Sequence, residues 1–266
     1  DASKGIVVGW TVEEITEEYQ VNNGWNCWNC DFLFTNEVAI DGGVRTNSMP
    51  TTASGISGSM ARFAVYENAL YTLDLWDLNT YDISNTTQPV LSNEINTNLQ
   101  VETLFNLDDN LFIGTTTGMM IYSLASPLTP SYTSTFAHVE SCDPVVVEGN
   151  TAYVTIRSGT ACGGNSNQLD ILDVENLENP TLLKTYPFTN PHGLGIDNGT
   201  LFICDGDAGL KVYDASDRMD ITSHQLAHFP EIHAFDVIPL GNVLLLIGED
   251  GFYQYDYSDV TNIELL

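Results

Sequence analysis

The stretch Gly193-Leu-Gly-Ile-Asp-Asn-Gly-Thr-Leu-Phe-Ile-Cys-Asp-Gly-Asp-Ala-Gly-Leu-Lys-Val-Tyr-Asp214 decides the fold. It holds two apolar alternating runs joined by Asn-Gly, then a glycine turn, then a third run. Four other stretches repeat this plan. The large residue near the end of the second run is Tyr71, Phe112, Tyr153, Phe202 and Leu245, giving steps of 41, 41, 49 and 43 residues. The third run ends at Tyr81-Asp82, Tyr122-Ser123, Leu172-Asp173, Tyr213-Asp214 and Tyr255-Asp256, giving steps of 41, 50, 41 and 42. Both rulers lengthen once, at the same place. The excess falls in an insertion within Ser158–Ser166. A self-similar period of about 40–45 residues with four short strands predicts an all-β β-propeller of four-stranded antiparallel blades.

Local chemistry supports that reading. Phe63–Tyr66, Leu104–Leu107, Val145–Glu148, Leu194–Asp197 and Val237–Leu240 read as innermost strands. Each is followed by a turn rich in Asn, Asp or Gly, which tolerate the positive φ of tight hairpins. A fourth run often follows proline, as at Gln88-Pro89, Thr129-Pro130 and Asn179-Pro180. Proline suits an edge strand, which has unpaired ladder positions. The predicted blades span about 60–97, 98–140, 141–189, 190–231 and 232–266. Residues 1–59 form a separate region, an orphan outer strand plus an insert rich in Trp and Cys.

Ile83-Ser-Asn85, Asp173-Val-Glu-Asn-Leu-Glu-Asn-Pro180 and Leu210-Lys-Val-Tyr-Asp-Ala-Ser-Asp217 resemble the LVIVD repeat. Pro191-His-Gly-Leu-Gly-Ile-Asp197 is similar to an NHL-type propeller repeat. Residues 60–266 as a whole resemble LVIVD-containing surface lipoproteins of Bacteroidota. That resemblance implies a propeller exposed at the cell surface or outer membrane, with a lipid anchor outside this chain. It also implies further repeats upstream. Gly5–Trp10 matches an outer strand without its three partners: either the chain is the C-terminal part of a longer propeller, or this strand completes the last blade around residues 261–266 and closes the ring. The resemblance favours the first, which makes the five repeats part of a ring of about seven blades.

The chain has 266 residues and a formal net charge of −29, with only seven Lys and Arg. Such a surface repels phosphate backbones and anionic lipid, which argues against nucleic-acid and direct membrane binding. No cofactor is expected. A divalent cation such as calcium is the one ion the acidic surface would favour, but Asp205-Gly-Asp207 lacks the downstream Glu of a calcium loop. Five cysteines are present. A hairpin between Cys142 and the Ser158 end would bring Cys142 and Cys162 to one face, predicting a disulfide and an oxidising compartment. Cys27-Trp-Asn-Cys30 lies in a polar loop, without the strand–helix setting of a redox motif or a second zinc ligand pair, and reads as a disulfide staple. Cys204 reads as a buried free thiol.

Propeller register brings the openings of the innermost strands together at a channel mouth. There the chain places Arg62, Glu102, Asp143, His192, His233 and Asp236, with Arg157 at the end of a second strand. Glu102, Asp143, His192 and Arg157 are the candidates for catalysis or ligand coordination. The same residues can equally satisfy strand ends and one another's charges. No H-E-x-x-H, P-loop, dinucleotide or nucleophile-elbow motif occurs. Trp25, Trp28 and Phe32 read either as an aromatic partner-binding surface or as cover for a blade edge. The expected function is a non-catalytic, secreted or cell-surface binding or scaffold module, including a subunit of an outer-membrane assembly, with a protein or glycan partner at the cell envelope. The alternative is a hydrolase or lyase acting at the mouth.

Overall fold

A computed structural model describes residues 58–137, 144–159 and 165–266. They build five four-stranded antiparallel sheets, each in simple sequence order from its first strand to its last. The first blade holds β1 (Phe63–Tyr66), β2 (Ala69–Asp74), β3 (Asp77–Asp82) and β4 (Val90–Asn96). The second holds β5 (Val101–Leu107), β6 (Asn110–Thr115), β7 (Gly118–Ser123) and β8 (Ser131–Ala137). The third holds β9 (Val145–Glu148), β10 (Thr151–Ile156), β11 (Gln168–Asp173) and β12 (Thr181–Pro187). The fourth holds β13 (Leu194–Asp197), β14 (Thr200–Cys204), β15 (Leu210–Asp214) and β16 (Gln225–Phe229). The fifth holds β17 (Ala234–Leu240), β18 (Val243–Gly248), β19 (Gly251–Asp256) and β20 (Glu264–Leu265). These are the blades of a β-propeller. The innermost strands β1, β5, β9, β13 and β17 contact one another in chain order.

The hairpins form where turn chemistry requires. Glu67, Asp108, Gly149, Asn198, Gly199 and Gly241 all have positive φ between the first and second strands. The aspartate closing the third strand does a second repeated job. Asp82, Asp173, Asp214 and Asp256 each accept the backbone N–H two residues on, at 2.8–2.9 Å. These Asx turns reverse the chain toward the fourth strand. A register shift then recurs between the third and fourth strands of the first four blades, at Thr80/Tyr81, Ile121/Tyr122, Ile171/Leu172 and Val212/Tyr213. The bulge adds twist where each sheet turns outward.

The core lies between blades, not within one layer. Leu111 and Ile113 of β6 pack toward the first blade, whereas Phe112 packs toward the third. Leu201 and Ile203 of β14 pack toward the third blade, and Phe202 and Cys204 toward the fifth. A second strand is therefore apolar on both faces, which explains the near-continuous runs. Buried hydroxyls lock neighbouring blades. Tyr71 Oη donates to Pro127 O at 2.8 Å, Tyr257 Oη to Asp197 Oδ2 at 2.8 Å and Ser134 Oγ to Leu177 O at 2.5 Å.

The two end blades differ from the middle ones. In the second blade Leu104, Leu111 and Ile113 are fully covered, but the matching face of the first blade leaves Phe63 62% exposed. The far face of the fifth blade leaves Ile247 47% and Phe252 58% exposed, where the fourth blade buries Cys204 and Leu210 completely. The expected orphan strand and insert, and the seven-blade ring built on them, lie outside the described residues. So do Cys27, Cys30, Cys142 and Cys162, hence both expected disulfides. Cys204 is a buried free thiol.

Candidate functional site

The openings of adjacent innermost strands are joined by direct bonds. Leu104 N donates to Ala61 O at 2.9 Å, and Gly193 N to Phe235 O at 2.8 Å. Thr155, fully buried, donates through Oγ1 to His192 O at 2.5 Å. Residues far apart in sequence thus meet at one end of the blades.

Glu102 reaches the mouth through a bulge. In the β5–β6 ladder Val101 pairs with Thr115 and Thr103 with Gly114, so Glu102 is skipped. The same irregularity skips Phe235 between Ala234 and Asp236 in the β17–β18 ladder. A bulged residue is released from strict alternation and re-aimed. Burial raises the Glu102 pKa, while the Arg62 and Arg157 guanidiniums oppose the rise. Arg62 also donates to Val101 O at 3.4 Å.

His192 is the centre of the cluster. Its Nε2 lies 3.3 Å from Arg157 Nη1 and 3.4 Å from Asn190 Nδ2. Arginine only donates, so Nε2 must be the acceptor and the proton sits on Nδ1. Burial, then the neighbouring Arg157 and His233 charges, push the imidazole down to about 4. It is a neutral acceptor at pH 7, and its lone pair is already engaged. His192, His233 and Phe235 pack their rings together, with centroids 4.8–6.2 Å apart. His233 Nδ1 in turn contacts Asp207 Oδ1 at 2.7 Å.

Asp236 does different work. It accepts from Ser59 Oγ at 3.1 Å, and backbone bonds from Val237 and Met60 also hold it. Ser59 Oγ accepts from Leu194 N at 2.8 Å, so the segment leading into the first blade is pinned to the fourth and fifth. Burial raises the Asp236 pKa to about 6. Gly193 has no room for a side chain, since a Cβ there would lie 2.1 Å from Asp236 Oδ1.

The structure therefore brings Arg157 and His192 into contact and places Glu102 within electrostatic reach of Arg62 and Arg157. His233 joins through its ring. Asp143, Trp25, Trp28 and Phe32 lie outside the described residues. Sequence reasoning missed Asn190 and the hub beneath it. Fully buried Asp205 accepts from Thr189 N and Asn190 N at 3.0 and 2.7 Å and pairs with Lys211 at 2.6 Å. The pair fixes the loop that carries His192. No local pattern betrays it, because Asp205 and Lys211 sit in one hairpin while their client loop lies 15 residues upstream. Among the described residues no group of three or more His, Cys, Asp or Glu is arranged to hold a metal ion. Nor does either of two surface clefts, lined by Ile95–Leu99 with Tyr132 and by Glu148 with Arg218, include a mouth residue.

Five ordered blades with converging inner-strand openings define a β-propeller with a polar mouth. Within that class, residues 57–97 and 141–187 match the LVIVD repeat, so the first and third blades carry it. Solved structures agree on the fold. A functionally unknown protein from Desulfotomaculum acetoxidans aligns with 75% of this chain and 65% of its own, at 13% identity and a TM-score of 0.58. The periplasmic gluconolactonase PpgL of Pseudomonas aeruginosa aligns over 75% and 66%, at 10% identity and 0.57. BamB of Moraxella catarrhalis aligns over 77% and 61%, at 14% identity and 0.51. The chain spans less than two thirds of each of these proteins. No curated protein matches it by sequence.

Proposed function

We propose that this chain is a non-catalytic binding propeller of the cell envelope, holding a protein or glycan partner at the mouth built by Arg62, Glu102, Arg157, His192 and His233. The observation that carries the reading is the state of His192. A neutral imidazole whose Nε2 already accepts from Arg157 and Asn190 is a fixed hydrogen-bonding surface, not a free base. The groups orient one another, as a preformed recognition site requires. The fold likeness to a periplasmic protein and to BamB supports an envelope setting. In-cell crosslinking followed by mass spectrometry tests it. Capture of an envelope component should fall sharply with Arg157→Ala and Glu102→Gln, and persist with Arg218→Ala on the other cleft. Undiminished capture by the two mouth variants would sink the reading.

A second reading rests on Glu102. A carboxyl pushed up by burial beside two guanidiniums is placed to act as an acid in a hydrolase or lyase. It predicts turnover of a lactone or ester panel that Glu102→Gln abolishes. The binding reading predicts no turnover.

A further inference from the structure

A cleft of about 580 Å³ opens between the first and second blades and shares no lining residue with the mouth. Its wall is the end of β4 and the link to β5, residues Ile95–Leu99, facing Met120, Tyr122, Pro130, Tyr132 and Thr135. None of these lining residues is charged. In a chain with 36 acidic residues, a charge-free concavity is a departure from the rest of the surface. Its volume falls in the range of small-molecule sites, about 300–1,000 Å³.

The lining is built rather than loose. Tyr132, 57% exposed, stands edge-on to buried Tyr122, with ring centroids 5.8 Å apart and planes at 77°. Its hydroxyl lies 3.0 Å from Thr135 Oγ1, which fixes the ring's tilt. Across the cleft Asn96 donates to Asp77 Oδ1 at 2.8 Å, and its own Oδ1 accepts from Asn98 N at 3.1 Å. Asn98 is thereby held at φ 57°, a left-handed conformation that asparagine tolerates. Thr97 Oγ1 lies 2.7 Å from both Trp76 O and Leu99 O, which anchors the wall to the preceding hairpin. The result is an exposed aromatic ring beside apolar Met120 and Leu99, opposed by the held amide of Asn96 and the exposed amide of Asn98.

We propose that this cleft is a binding site for a neutral oligosaccharide. A pyranose offers an apolar C–H face to a ring such as Tyr132 and a rim of hydroxyls to amides such as Asn98. Each is matched here, while the absence of lining charge and the −29 surface around it select against uronic or sialic acids. The site is independent of the mouth and its reading.

The test is an array of neutral and acidic glycans probed with the 266-residue chain, followed by titration calorimetry with the strongest neutral ligand. The expected result is retention of neutral glycans only. Tyr132→Ala should weaken binding at least about tenfold, and Tyr132→Phe, which keeps the ring, should weaken it less. Phe252→Ala, an exposed aromatic on the fifth blade, should leave affinity unchanged. Failure of every neutral glycan to bind, equal binding of acidic ones, or insensitivity to Tyr132→Ala would each overturn the proposal. Any of these results leaves the Arg157 and Glu102 crosslinking outcome to be read separately.

Discussion

At the scale of single residues, two buried ionisable groups near the mouth pull stability in opposite directions with pH. His192 is depressed to about 4, so it binds fewer protons folded than unfolded. Its contribution is full above the unfolded value near 6.5 and is lost as pH falls through about 4. Asp236 is raised to about 6, so its contribution is present below the ordinary carboxylate value and is lost as pH rises through about 6. The two windows overlap, and in the wild type the slopes largely cancel between pH 4 and 6. Asp236→Asn should expose the His192 slope, with stability rising across that range. His192→Gln should expose the Asp236 slope, with stability falling. Thermal unfolding at half-unit pH steps reads both, and parallel profiles for the two variants would refute the assignment. Gly193→Ala should cost about 1–3 kcal/mol, since overpacking against Asp236 forces backbone movement.

Among elements, the repeat's small signals have separable physical jobs. The aspartate ending the third strand of four blades makes an Asx turn, with Ser123 in its place in the second blade, and hydrogen bonds from Ser84, Ser216 and Ser258 hold Asp82, Asp214 and Asp256 below the usual carboxylate range. Part of the acidic charge therefore belongs to turn formation. The second-strand position that set the period carries Tyr71 in the first blade, and its hydroxyl reaches across to Pro127 of the next. Tyr71→Phe should cost about 1 kcal/mol, the net worth of one buried hydrogen bond plus its orphaned carbonyl. Chemical denaturation measures it, and an unchanged midpoint would show that the bond contributes nothing across that interface. Inner-strand starts were legible to within a residue or two for β1, β9 and β13, because hairpin turns bound them tightly. β5 and β17 begin three residues earlier than the sequence pattern suggests, since their opening bulges break the alternation on which such reading depends.

Over the whole molecule, among the described residues, the second to fourth blades bury apolar side chains on both faces, whereas the first and fifth leave large ones exposed on one. Equivalent positions should therefore differ in cost. Leu104→Ala in the second blade should destabilise by about 2–5 kcal/mol, as a fully buried leucine does. Phe63→Ala, at the matching position of the first blade, should cost well under half of that, because most of its surface is already wet. Equal losses would mean that Phe63 is covered in solution. The net charge makes a further prediction. Self-repulsion among so many carboxylates opposes compaction, so raising NaCl from about 20 to 500 mM should raise the melting temperature, with the gain levelling off as the Debye length falls below about 5 Å.

The sequence alone determined the architecture. Period, turn residues and apolar runs are local quantities, and each blade expresses them within about 40 residues. It also named Arg157, Glu102 and His192 as neighbours, because a repeat converts equal register into spatial convergence. Only the tertiary structure decided what those neighbours do. The lone pair of His192 is claimed by residues two and 35 positions away, the Asp205–Lys211 pair supports its loop from another hairpin, and Asp236 is engaged by Ser59. The charge-free cleft beside Tyr132 belongs to the same class, since it exists only between two blades. Such properties depend on burial and on partners distant along the chain, which periodicity cannot encode.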